Sequence, residues 1–320
     1  MAHDDVVARA VAVLRGGGVV AIPTETVYGL AADVENAAAI ARVYAIKGRP
    51  ADHPLIVHVH DVAALDGYVA EVTPALRALA ERFWPGPLTA IVARGPRTPR
   101  AVTGGQDTVA VRVPEHPLAR AILAAFGGPL AAPSANRFGR ISPTRADHVR
   151  ADLGDDVDLV VDGGPARVGI ESTIVDLTGA VPAVLRAGTV TPSQLGDALG
   201  MPVVTRVGGA VRAPGTLRSH YAPRADVVLV EAGAREAEAR RLADAGDRVA
   251  LLTLPDDPAA AARTLYSALR ALDADGYATI VATLPPNTEA NAAVRDRLVR
   301  AAAPRTGPES RRSAANGDST

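Results

Sequence analysis

Apolar residues recur at helical spacing over residues 4–15 (Val6, Val7, Ala10, Val11, Leu14), and Gly16, Gly17 and Gly18 end that helix. Val19 to Ile22 then predicts a strand closed by Pro23, with Thr24, Glu25 and Thr26 at its carboxyl end, ahead of Tyr28 and Gly29. Sites in open sheets often lie at such ends. A second helix over 37–46 delivers Lys47, Gly48, Arg49 and Pro50 to a loop, and 55–59 reads as the next strand. A helix over 74–83, strands over 88–92 and 108–113 and a helix over 118–125 follow, and the alternation Val109, Val111, Val113 sets Arg112 on the opposite face. An apolar stretch at 129–132 leads into Pro133, Ser134, Ala135 and Asn136, and Thr144 is placed to cap a helix running to Leu153. Strands over 158–161, 173–177 and 183–186 complete a pattern in which several strands are joined without helices, so residues 1–200 predict one mixed-sheet α/β domain.

Periodicity fails over 201–224, where six Gly or Pro gather as in a linker or covering loop. Strands at 227–230, 249–254 and 278–283 then alternate with helices near 234–245, 258–272 and 288–302, which predicts a small three-layer, Rossmann-like parallel α/β domain over 225–302. The polar, Gly/Pro/Ser-rich residues 303–320 predict a disordered tail.

Composition narrows the classes. At 48% hydrophobic and 22% charged, the 320 residues have ample apolar material for two cores. A net charge of −1 lacks the basic excess of a dedicated nucleic-acid binder. The absence of Cys removes thiol catalysis, disulfides and Cys-ligated metal centres. No apolar run reaches bilayer length, and Asp4 and Asp5 stand where a signal peptide needs positive charge, so a cytoplasmic location without stable membrane or nucleic-acid binding is expected.

Of the 34 basic residues, 33 are Arg and Lys47 alone is Lys. In a chain whose coding bias exchanges Lys for Arg, the one survivor marks a place where a compact ammonium fits and a planar guanidinium does not, unless it is a surface lysine left by chance. The sequence contains no phosphate loop of the G-x-x-x-x-G-K-[ST] form, no G-x-G-x-x-G, no G-x-S-x-G elbow and no H-E-x-x-H. Polar residues instead cluster in loops. Lys47, Arg49, Arg112 and Arg186 suit a polyanion such as a triphosphate, although Lys47 and Arg49 also suit a helix end. Ser134 and Asn136 suit a ligand or a simple turn. His53, His58, His60 and Asp61 lack the three or four convergent ligands of a metal centre, so no metal held by protein side chains is expected. Glu25 and Glu171 are available as acid, base or salt-bridge partner.

Five segments, Pro23-Thr24-Glu25-Thr26-Val27-Tyr28-Gly29-Leu30, Lys47-Gly48-Arg49-Pro50, Pro54-Leu55-Ile56-Val57-His58, Ala132-Pro133-Ser134-Ala135-Asn136 and Glu171-Ser172-Thr173-Ile174-Val175-Asp176, together resemble the threonylcarbamoyl-AMP synthase family of YrdC-like enzymes. Leu265-Tyr266, Leu269-Arg270, Leu272-Asp273 and Arg297-Leu298 through Arg300-Ala301-Ala302 resemble the C-terminal domain of its long form. The resemblance implies a nucleotidyltransferase that converts L-threonine, bicarbonate and ATP, with Mg²⁺, to L-threonylcarbamoyl-AMP and pyrophosphate. A tRNA threonylcarbamoyl transferase complex, met transiently, would take the product. It further implies that Thr26, His58, Arg112, Ala132 and Ser172 bind L-threonine, with Arg112 on its carboxylate and Ala132 acting through its backbone. Lys47, Arg49, His53, Thr108, Ser134, Asn136, Ser142, Arg186, His220 and Tyr221 fall to ATP, Lys47 and Arg49 as the catalytic pair and 201–224 as a lid. His53 departs from the Asn usual there, Gly215 to Tyr221 matches the lid segment in part, and Pro286 to Asn291 replaces a glycine-rich turn. Two other readings of the same residues are a double-stranded-RNA or nucleotide-binding module without synthase activity and a hydrolase with Ser134 as nucleophile.

Overall fold

The computed structural model describes residues 3–217 and 219–304. Residues 305–320, and so nearly all of the expected disordered tail, lie outside the described residues. The first unit runs α1 (His3–Arg15), β1 (Val20–Ile22), β2 (Gly29–Asp33), α2 (Ala37–Lys47), β3 (Ile56–His58), α3 (Pro74–Phe83), β4 (Leu88–Ala93), β5 (Thr108–Arg112), α4 (Pro117–Phe126), β6 (Leu130–Ala131), α5 (Ala146–Leu153), β7 (Leu159–Val160), β8 (Thr173–Asp176), β9 (Ala183–Arg186), α6 (Pro192–Leu199) and β10 (Val204–Thr205). These strands form one mixed sheet of ten, in the order β10-β9-β8-β4-β5-β3-β6-β2-β1-β7. The second unit, β11 (Asp226–Val230), α7 (Arg235–Asp244), β12 (Val249–Leu251), α8 (Pro258–Ala274), β13 (Thr279–Thr283) and α9 (Ala292–Ala302), has a parallel sheet ordered β11-β13-β12.

One local expectation is corrected, and two elements are added to those the pattern predicts. Thr144 does not cap α5: the N-cap residue is Arg145, and the Thr144 hydroxyl meets His148 Nδ1 at 3.4 Å instead. Residues 29–33 form a strand antiparallel to β1, which makes Thr24 to Tyr28 the loop of a hairpin. Helix α6 is the other addition, and Thr191 and Gln194 form a reciprocal capping box at its start.

Alternation sorts the strands that matter. Val57, Val109 and Val111 point into the main core with Leu55, Leu88 and Val175. Ile56 and Ala110 point the other way, into a small cluster with Ile91, Ile174 and the linker residue Ala213. One sheet face is therefore roofed by the linker, and His58 and Arg112, two residues along from Ile56 and Ala110, share that face. The C-terminal unit packs Leu265, Tyr266, Leu269 and Leu298 against Val27, Ile141, Ile170 and Tyr221, so one apolar cluster joins the two units. Among the described residues no helix is long and apolar enough to cross a membrane.

Candidate active site

A cleft opens between the sheet face and the linker, lined by the hairpin loop, β3, β5, the 132–134 loop, Glu171, Ser172, Arg186 and the linker residues Pro214, Gly215, His220 and Tyr221. It retains about 40 Å³ of free space.

The parallel register of β3 and β5 sets His58 directly beside Arg112. Arg112 is buried and fully engaged: Nε donates to Gly86 O (3.1 Å), Nη1 to Thr26 Oγ1 (2.9 Å) and Nη2 to Glu25 Oε1 (2.5 Å). Glu25 Oε2 accepts from the Glu115 backbone N–H at 3.0 Å, so the carboxylate is fixed from both sides. The Thr24 hydroxyl donates to Val27 O (2.5 Å) and accepts from the Thr26 and Val27 N–H groups, which folds the hairpin loop tightly enough to present Thr26. Burial, reinforced by Arg112, pushes the His58 imidazole down to about 3. It is neutral at physiological pH, and its Nδ1 lies 3.2 Å from Ile56 O. A carbonyl only accepts, so Nδ1 carries the proton and Nε2 offers a lone pair.

Across the cleft, Ser172 Oγ is 2.7 Å from Thr89 Oγ1 and accepts from Arg186 Nη2 at 3.0 Å. Arg186 also donates to Ser172 O (3.0 Å) and to Pro214 O of the linker (3.1 Å), tying roof to wall. Arg49, held by Pro54 O at 2.8 Å, lies 5.8 Å from the Phe138 ring centre, and burial lowers its guanidinium to about 10. Phe138 stands edge-on between His53 (5.3 Å) and His220 (5.8 Å), and His220 contacts Tyr221 (4.1 Å).

Thr26, His58, Arg112, Ala132 and Ser172 all line this one cleft, as do Arg49, Ser134, Arg186, His220 and Tyr221. Lys47, Asn136, Ser142, His53 and Thr108 do not. Lys47 turns inward from the end of α2, where Gly48 in the left-handed region (φ 62°) closes the helix. Its Nζ donates to the carbonyls of Ser134 (2.5 Å) and Asn136 (2.6 Å), so it pins the loop that carries Ser134. Burial and the neighbouring Arg49 pull its ammonium well below the ordinary lysine range. Asn136 braces the loop through the carbonyls of Arg137 (2.7 Å) and Arg140 (2.8 Å). Ser142 reaches the cleft through Glu171, and His53 through Phe138 and Arg49, to which its carbonyl is bonded. Thr108 shares the face of Arg112 four residues back along β5, about 13 Å away.

Glu25 and Glu171 carry functions that sequence reasoning left open, and both are engaged. Burial alone would raise Glu171, but Arg297 and Arg186, with the Ser142 hydroxyl, hold it down at about 2. Neither is free to act as a base. Among the described residues no group of three His, Asp or Glu converges as a metal site, and His60 pairs with Asp61 at 3.1 Å.

Comparison with known proteins covers nearly the whole chain. Residues 12–188 match the Sua5, YciO and YrdC family model described as telomere recombination, and residues 190–303 match threonylcarbamoyl-AMP synthase, C-terminal domain. The threonylcarbamoyl-AMP synthase of Bacillus subtilis is 37% identical over 94% of this chain and 94% of its own length. That of Pyrococcus abyssi is 37% identical over 90% of this chain and 91% of its own. The crystal structure of P. abyssi Sua5 complexed with L-threonine superposes with a TM-score of 0.89 at 35% identity, covering 94% of this chain and 95% of that one. A P. abyssi Sua5 with a His and a Tyr replaced by Ala gives a TM-score of 0.88 at 34% identity, covering 94% of this chain and 93% of that one.

Proposed function

The chain belongs to the threonylcarbamoyl-AMP synthase family, and on that premise we infer how its cleft does the work. It is a nucleotidyltransferase that joins L-threonine, carried as its carbamate, to the AMP part of ATP. The observation that carries this is the match to curated synthases over both units, 37% identity across 94% of the chain.

We assign L-threonine to the end of the cleft where Arg112, Thr26 and His58 meet. Arg112 offers a guanidinium to the carboxylate, Thr26 a hydroxyl, and the neutral His58 an acceptor at Nε2. The threonine amine attacks the carbon of bicarbonate, with loss of water, to give the carbamate. A carbamate oxygen then attacks the α-phosphorus of ATP and the bond to pyrophosphate breaks. Charge grows on the phosphate oxygens, and Arg49 and Arg186, both buried in the wall, are placed to stabilise it. Such a transfer needs positioning and electrostatics more than a protein nucleophile. Glu171 of the cleft wall and Glu25 of the hairpin loop are already paired with arginines. The donor set therefore fits a Mg²⁺ that arrives on the ATP phosphates better than one caged by protein, and such an ion would neutralise phosphate charge. Bicarbonate as the carbon source, and a tRNA-modifying transferase as acceptor of the adenylate, complete the reading.

ATP does not enter a cleft with about 40 Å³ of free space, when small-molecule sites enclose roughly 300–1,000 Å³. We therefore assign the linker, 201–224, as a lid that moves aside for the nucleotide and closes over it. The test is incubation with ATP, Mg²⁺, bicarbonate and L-threonine, reading pyrophosphate and the mass of threonylcarbamoyl adenylate. Product that requires both threonine and bicarbonate supports the reading. Folded protein that binds threonine yet forms no adenylate refutes it.

A further inference from the structure

Helix α9 of the C-terminal unit carries a charge in its apolar stripe. Val294, Leu298 and Ala301 are buried as a helix packed on a core requires, and Arg297, in the same stripe, is as inaccessible as they are. A buried guanidinium needs partners, and it finds them in the other unit: Nε donates to Glu171 Oε2 at 2.8 Å, and the cation lies 5.0 Å from the ring centre of the linker residue Tyr221. Nη1 is held by Asp296 at 2.7 Å. Tyr266 of α8 donates its hydroxyl to the same Glu171 Oε2 at 2.8 Å, and the other oxygen, Oε1, accepts from Ser142 Oγ at 2.5 Å. The same helix also grips the lid backbone: Arg300 donates to Leu217 O, and the His220 N–H donates to Arg300 O at 3.3 Å.

At the threonine end Val27, next to Thr26, joins the shared apolar cluster, but the two groups that would meet the substrate's charge, Arg112 and His58, have no polar partner in the second unit. Arg112 is anchored by Glu25, Gly86 and Thr26, and His58 by Ile56, all within the first unit. The asymmetry has a functional consequence. We propose that Arg297, assisted by Tyr266, is a positioning residue for the ATP half of the site: through Glu171 and Tyr221 the C-terminal unit sets Ser142 and the lid in the arrangement that adenylation requires. The inference rests on the synthase reading above and adds a role for the second unit that the reaction itself does not demand.

The test uses the full chain and two readouts that a general loss of structure would move together: L-threonine affinity by calorimetry, and KM for ATP by pyrophosphate release. Arg297→Met is expected to raise KM for ATP roughly tenfold while leaving threonine affinity within about twofold. Arg297→Lys, which keeps the charge but loses the fork, is expected to fall between the two. Because Arg297→Met removes the ion-pair partner of a buried carboxylate and can unfold the chain, Tyr266→Phe and the double variant Arg297→Met with Glu171→Gln carry the argument as well. Tyr266→Phe is expected to raise KM for ATP roughly threefold. The double variant is expected to melt higher than Arg297→Met alone and to add no further loss in KM, because both changes act through one contact. Folded variants whose KM for ATP stays within twofold of the parent, or whose threonine and ATP affinities fall equally, overturn the inference. An unsubstituted protein that makes no adenylate overturns the synthase reading instead, so the two failures are distinguishable.

Discussion

Lys47→Arg is the substitution that this chain's own composition recommends, since every other basic position is already Arg, and the structure says why it should fail here. The ammonium is buried and donates to two backbone carbonyls, those of Ser134 at 2.5 Å and Asn136 at 2.6 Å. A guanidinium brings two more heavy atoms into a filled space, at a cost of about 1–3 kcal/mol for overpacking. It also brings five N–H groups in a rigid fork where two acceptors wait, and each buried donor left unpaired costs about 1–3 kcal/mol. A net loss of roughly 2–5 kcal/mol corresponds to a fall in melting temperature of roughly 4–20 °C for a domain of this size. Turnover should fall with it, because the loop that Lys47 pins carries Ser134 into the cleft. Reading the sequence alone, one expects Lys47→Ala to slow adenylation far more than it unfolds the protein. With Nζ on backbone carbonyls, both losses are expected together, whereas Arg49→Ala, which removes a cleft-lining cation, should chiefly lower the rate. Thermal melts and pyrophosphate release on the same preparations check this. A Lys47→Arg protein that melts and turns over like the parent refutes the reasoning.

Three further outcomes follow from the geometry. Glu25→Ala orphans the buried Arg112 and should cost about 3–5 kcal/mol of stability; saturating L-threonine, whose carboxylate replaces the lost partner, should then raise the variant's melting temperature more than the parent's, and an equal or smaller rise counts against Arg112 as the carboxylate's partner. Acid should destabilise the fold from about pH 6.5 downward: His58 and His220 stay neutral when folded, with values near 3, and Glu171 stays ionised to about 2, so in each case the unfolded chain binds the proton first and stability rises with pH across that window. A stability profile flat from pH 7 to pH 4 would contradict it. Gly215→Ala places a Cβ 2.0 Å from the Tyr221 hydroxyl and 3.2 Å from Arg186 Nη1 at a φ of 75°, so the lid should seat poorly, raising KM for ATP and sparing threonine affinity in calorimetry.

Much of the architecture was legible because burial is written in periodicity. The alternation Val109, Val111, Val113 gave the inward face of β5 and with it the outward placement of Arg112, and the β-α alternation after residue 225 gave the three-stranded parallel sheet. What escaped was decided by contacts too short or too distant to leave a period. Strand β2 begins at Gly29, whose Cβ would meet the Ala132 Cβ at 3.2 Å, so its place follows from a neighbour a hundred residues away in sequence. Helix α6 is eight residues, and its apolar face, Leu195 with the partly buried Ala198 and Leu199, spans little more than one turn, too short to read as a period, although its capping box is there to be read. Thr144 looked like a cap because caps are read from residue type, and the hydroxyl is engaged by His148 instead.

The site divides along the same line. The side chains assigned to ligands are polar residues in loops or at the ends of strands, and nine of them line the cleft together with Ala132. The residues that hold them in place look different in sequence. Lys47 was conspicuous only by its rarity, and Glu25 and Glu171 read as ordinary carboxylates until their arginines were known. Arg297, by contrast, did leave a signal: it falls with Val294, Leu298 and Ala301 at positions that share one helix face, where a charge is costly unless it is paired. A cation on an apolar stripe implies a buried anion elsewhere in the chain, and here that anion, Glu171, sits beside Ser172 in the cleft wall of the other unit. The search for supporting residues in such a chain therefore begins with charges that break the hydrophobic pattern, because their partners must be brought to them by the fold.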